Sequence, residues 1–142
     1  MLEERNKIDW EKYRRLGLNS PDIASFILKL TSEDQLVAQN ASNDLEEQME
    51  WAYEKNKSDL LFVVAPLLIK MLPDVPDKAF ITDLLIFLLS YSKIQTLSEV
   101  RKKEALRLKS VVCEGAEIYK KFSEDEQIRE DIAYLLKACS EG

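Results

Sequence analysis

The sequence has no histidine, two cysteines, three glycines and four prolines in 142 residues. Without histidine there is no Ser-His-Asp triad, no Cys-His dyad and no His-ligated zinc. Two cysteines build neither a disulfide framework nor a four-Cys metal site. So few glycines and prolines cannot punctuate an all-β chain, and no run of alternating apolar and polar residues appears. Long hydrophobic runs are missing too. The longest, Leu60 to Ile69, contains Pro66 and falls short of the about 20 residues that cross a bilayer. The first ten residues, MLEERNKIDW, lack the apolar core of a leader peptide.

What remains describes a folded chain: 46% apolar and 32% charged residues, with a net charge of −6. The length suits one domain over residues 1–142, with a core that needs no staples. Net acidity argues against a general phosphate binder but leaves room for a local basic patch. Cys113 and Cys139 fall in helical surroundings and read as small, reduced core residues of a reducing compartment, with a bond between them as the minor alternative. The expected location is the cytoplasm, with no membrane association.

Periodicity makes the whole chain helical. A short lead helix over 9–16 carries Trp10 and Tyr13 and stops at Gly17. The second starts at Ser20-Pro21-Asp22 and runs to Leu30. The third opens on Ser32-Glu33-Asp34-Gln35, with Ser32 as cap, and its buried stripe is Val37, Ala41, Leu45, Met49 and Ala52. Lys55 to Ser58 breaks the pattern. The fourth helix, 59–72, is apolar on nearly all sides and central, and Pro66 is expected to kink or divide it. The fifth follows the Pro73–Pro76 turn over 77–90. The sixth runs over 98–122, with Gly115 as a weak point. The seventh opens on Ser123-Glu124-Asp125-Glu126 and buries Ile128, Ile132, Leu135, Leu136 and Cys139. Three helix pairs at a spacing of about 40 residues have the period of HEAT and armadillo repeats, with a plain helical bundle as the alternative.

Several segments in order carry a resemblance. They are Trp10 with Gly17, Pro21, Leu30 to Asp34 before a helix with Ala41 and Leu45, Pro66-Leu67-Leu68-Ile69, Met71-Leu72, and Phe122 to Arg129 before Ala133 and Leu135-Leu136. Together they resemble the bacterial HEAT-repeat-like family with an armadillo-type α-solenoid fold. The resemblance implies an all-α, short right-handed solenoid and a protein-binding scaffold, and it transfers no catalytic residue. Where members carry a polar His-Gln-Gly-like segment, this chain has Ala52-Tyr53-Glu54-Lys55-Asn56, so nothing tied to that segment is carried over.

Charge is segregated along the chain. Residues 30–54 hold seven carboxylates and no Lys or Arg. On a helix Glu47, Glu50 and Glu54 fall within about 60° of one another, opposite the apolar stripe, with Trp51 beside them and Asp44 earlier in the row. Such spacing repels by about a few tenths of a kcal/mol per pair, a cost that a basic partner relieves. Asp44, Glu47, Glu50, Trp51 and Glu54 are therefore the candidate partner-binding face. The same residues also fit a solvated acidic face with Trp51 buried against a neighbour. They point away from the core, so no metal site and no cofactor is expected. Arg101, Lys102, Lys103, Arg107 and Lys109 gather on the sixth helix as an alternative nucleic-acid face. Glu99 and Glu104 interrupt it, and no base-reading set accompanies it.

These features predict a non-enzymatic binding protein. Its sharper form is an acidic inhibitor of immunity type that neutralises a basic toxin or nuclease domain. A nucleic-acid-binding helical repeat and a structural scaffold are the alternatives, and the sequence leaves the oligomeric state open.

Overall fold

The computed structural model describes residues 20–55, 59–91 and 98–140. The lead helix expected over 9–16 and the connections 56–58 and 92–97 lie outside them. Within the described residues all regular structure is helical. The elements are α1 (Ser20–Lys29), α2 (Gln35–Glu54), α3 (Asp59–Met71), a 3₁₀ turn (Leu72–Asp74), α4 (Lys78–Ser90), α5 (Glu99–Cys113), α6 (Ala116–Lys120) and α7 (Arg129–Ser140).

Capping chemistry sets the boundaries. The α2 cap is Asp34, not Ser32. Its carboxylate accepts from the N–H of Leu36 and Val37, while Ser32 Oγ accepts from the Asp34 N–H and so builds the turn before it. Asp77 caps α4 and Ser98 caps α5 in the same way. The helix expected from Ser123 begins six residues later. Asp125 Oδ1 accepts from the Gln127 N–H at 2.9 Å and its carbonyl accepts from Arg129, so Asp125, not Ser123, closes the open end of α7. Pro66 does not divide α3, which runs unbroken through it although the ring removes one donor.

The helix expected over 98–122 is broken at Glu114-Gly115 into α5 and α6. The reason is steric. Tyr119 folds back over the break, fully buried, and its hydroxyl donates to the Val112 carbonyl at 2.6 Å. A Cβ on Gly115 would sit 2.7 Å from Tyr119 Cζ and 2.9 Å from Ile69 Cγ2, so only glycine admits the ring. Burial pushes the Tyr119 phenol well above its usual range and keeps it a donor.

The break also carries the main correction to the cysteines. Cys113 and Cys139, expected reduced and buried, are half-exposed and joined by a disulfide, with Cα atoms 5.5 Å apart. Helical surroundings alone did not show that the end of α5 and the end of α7 converge. The bond removes the cysteine argument for a reducing compartment.

Helices pack within pairs and between adjacent pairs. α1 lies on α2, α3 on α4, and α5 and α6 on α7. Between pairs, α2 touches α3 and α4, α3 touches α5, and α4 touches α5 and α7. The core is densest at α3 and α4. Leu60, Leu61, Val64, Leu68, Ile81 and Leu85 are fully buried there, as the all-round apolar character of these helices predicts. The N-terminal ends of α2, α4 and α7 meet at Asp77. Its Oδ2 accepts from Gln35 Nε2 at 3.2 Å and its Oδ1 from Gln127 Nε2 at 3.0 Å. One turn on, the buried Thr82 hydroxyl donates to Asp131 Oδ2 at 2.7 Å and ties α4 to α7. Asp83 lies beside Asp131. Burial, then the charge of Asp131 and a hydrogen bond shared with it, then Glu46 and Asp77, hold the Asp83 carboxyl above its usual range.

Three outcomes are expected. Leu68→Ala removes a fully buried side chain from α3 and should cost about 2–5 kcal/mol in urea unfolding; a loss below about 1 kcal/mol would place α3 at the periphery. Protein purified without reductant should show no free thiol, and reduction should lower stability by about 3 kcal/mol, the scale for a loop of this length. Two titratable thiols in the native protein would refute the pairing. For Asp83 the folded state binds its proton more tightly than the unfolded chain does. The stabilising contribution is therefore present below the ordinary value of 3.8 and is lost as pH rises through the elevated folded value. Asp83→Asn should raise the melting temperature at neutral pH, and the gain should vanish in acid. A gain independent of pH would exclude this account.

Candidate functional site

The acidic row is a consequence of how α2 buries its other side. Ala38, Ala41, Ser42, Leu45, Met49, Ala52 and Tyr53 face the core. Asp44, Glu47, Glu50 and Glu54 are all exposed on the far side, with Leu36 in line with them one end earlier. None of the four carboxylates forms an ion pair among the described residues; the recorded pairs Lys102–Glu99 and Lys120–Glu117 are local to their own helices. The row therefore keeps its like-charge repulsion. Trp51 differs from its neighbours. It is half-buried and packs against the hydrophobic core, so at least part of the indole serves the fold.

The acidic surface continues beyond α2, which sequence spacing did not reveal. Glu46, at the margin of the row, acts on Asp83 of α4, as do Asp131 of α7 and Asp77. Carboxylates from three helices thus adjoin one another where α2, α4 and α7 pack side by side. The sequence offered no local signal for this, because Glu46, Asp83 and Asp131 are far apart in the chain.

The basic residues do not form one face. Lys102, Lys103 and Arg107 are exposed, whereas Arg101 and Lys109 are half-buried. The Arg101 guanidinium lies over the Tyr53 ring at 4.2 Å, and Arg107 lies over Phe62 at 5.0 Å. Lys102 leans on Glu99 at 3.7 Å. Five cations expected together as a nucleic-acid face are reduced to three on the outside, one of them stacked and one paired.

Arg101 instead completes a junction that sequence reasoning missed. Tyr53, at the end of α2, stacks on Tyr91, at the end of α4, with ring centroids 4.0 Å apart, and Phe87 meets Tyr91 edge-on at 5.4 Å. Among the described residues the Tyr91 hydroxyl and Glu104 Oε1 are buried with no hydrogen-bond partner, and the buried Tyr53 hydroxyl has the Arg101 guanidinium beside it. Burial pushes the Tyr53 phenol up, against the pull of the nearby Arg101 charge; burial and then Glu50 push Tyr91 up further. Both phenols stay protonated at neutral pH, so neither is a nucleophile there. Among the described residues no group of three or more His, Cys, Asp or Glu side chains is placed to hold a metal ion, and no helix is long and apolar enough to cross a membrane.

Set against known proteins, the chain matches no family model, no curated protein and no solved structure.

Proposed function

We propose that this chain is a non-enzymatic protein-binding module whose acidic face captures a basic protein partner. The observation that carries the reading is the row Asp44, Glu47, Glu50 and Glu54, exposed, without an intervening Lys or Arg, and without an ion pair among the described residues. A sequence shaped only for helix stability would interleave lysines and gain about 0.2–0.5 kcal/mol per pair. The carboxylates of Asp83 and Asp131 extend the same field onto α4 and α7 and would speed encounter with a cationic surface. The sharper form is an inhibitor of immunity type for a basic toxin or nuclease domain.

The proposed scaffold is a short right-handed α-solenoid of three helix pairs, related to the HEAT-repeat-like family. The larger contacts, which run within pairs and between neighbouring pairs, support it, although Arg101 of α5 also reaches Tyr53 of α2. The cytoplasm remains the proposed compartment provided that the fold stands without the Cys113–Cys139 bond, which the reduction experiment reads directly.

The test is association kinetics against a panel of basic nuclease domains, with neutral and acidic proteins as controls, over a range of salt. A basic member of the panel should bind with an on-rate that falls as salt rises. Glu47→Lys with Glu50→Lys should slow association by about tenfold or more and flatten the salt dependence while leaving the melting temperature nearly unchanged. Trp51→Ala should lower the melting temperature, since its indole packs on the core; an increased off-rate besides would give it a share in the interface. Unchanged binding with both glutamates reversed would eliminate the acidic row.

A further inference from the structure

The outward side of α5 is not accounted for by partner capture. Ala105, Leu108 and Val112 turn inward, and the opposite side presents Val100, Lys103, Leu106 and Arg107, with Lys102 at its margin. Val100 is 73% exposed and Leu106 56%. The other large apolar side chain in that range among the described residues is Leu36, 65% exposed, in line with the acidic row of α2. Val100 and Leu106 thus stand in water among charged side chains.

The geometry points to a second copy of this chain as the occupant: the basic, apolar-studded face of α5 docks on the acidic row of α2 of a neighbouring molecule. The two faces are complementary in both respects that matter. One offers Lys102, Lys103 and Arg107 against Glu99, with Glu114 at its far end and the half-buried Glu104 at its margin; the other offers Asp44, Glu47, Glu50 and Glu54 and no cation. Each has exposed apolar side chains for the other, Val100 and Leu106 against Leu36. Within one molecule the two faces do not satisfy each other. Both point away from the core, and Arg101, the α5 cation that does reach α2, lies on the Tyr53 ring. Every copy carries both faces, so the contact forms twice about a two-fold axis or propagates head to tail. The acidic row is the same one proposed to meet a basic partner, so self-association and partner capture exclude each other. Self-association does not require the partner reading and stands or falls separately.

Sedimentation velocity on the full chain, from micromolar to millimolar concentration, tests this. Mass should rise with concentration in about 0.02 M salt and fall back to the monomer in about 0.3 M. Lys102→Glu with Lys103→Glu should weaken association by about tenfold or more, and so should Glu47→Lys with Glu50→Lys. These pairs of reversals move the net charge from −6 to −10 and to −2 respectively. General self-repulsion would therefore weaken the first variant and strengthen the second, whereas the specific contact predicts loss in both. All four reversals in one chain bring the charge back to −6 and should restore association. Leu106→Ser should weaken it with little change in the monomer's melting temperature. A wild-type monomer at the highest concentration in low salt, or association that neither reversal weakens, overturns the proposal. So does binding of a DNA duplex that the two lysine reversals abolish while the protein stays monomeric, which would give the α5 face to nucleic acid.

Discussion

Burial of α3 and α4 against each other is the constraint on which the other elements depend. Both helices are apolar on nearly every side, so each needs protein on all sides to leave water. α2 packs on both helices, as does α5, α7 packs on α4, and α1 and α6 lie in turn on α2 and α7. The charged faces follow from this. α2 and α5 have one side spent on the central pair, and their polar residues are left together on the other.

The helical content and most boundaries were legible because their signals are local. Apolar spacing, the Pro73–Pro76 turn and the acid-rich helix starts each act within a few residues. Where boundaries shifted, a competing local group took over: Asp34 caps in place of Ser32, and Asp125 in place of Ser123. The break at Gly115 was visible only as a weakness. Its cause, Tyr119 folding back between Val112 and Ile69, is a tertiary contact without a sequence signal. The cysteine pairing failed to show for the same reason, since it depends on where the far ends of α5 and α7 arrive.

The surfaces divide along the same line. Exposure of Asp44, Glu47, Glu50 and Glu54 was readable from one helix, because periodicity fixes which side a residue takes. The basic set divides because Arg101 shares the inward side with Ala105 and Leu108, where its guanidinium lies over the face of Tyr53. That tyrosine lies 48 positions away, beyond any spacing rule. The joining of Glu46, Asp83 and Asp131 into one field likewise needs three helices side by side.

The sulfur bridge also sets how this chain carries load. If the protein is pulled from its two ends, tension enters α5, crosses at Cys113–Cys139 and leaves through the last residues of α7. Residues 114–138, with α6 and most of α7, hang from that crossing as an unloaded ring. They lengthen the extended chain only after the bond is reduced, so a thiol reductant would register as added contour length as residues 114–138 come under load.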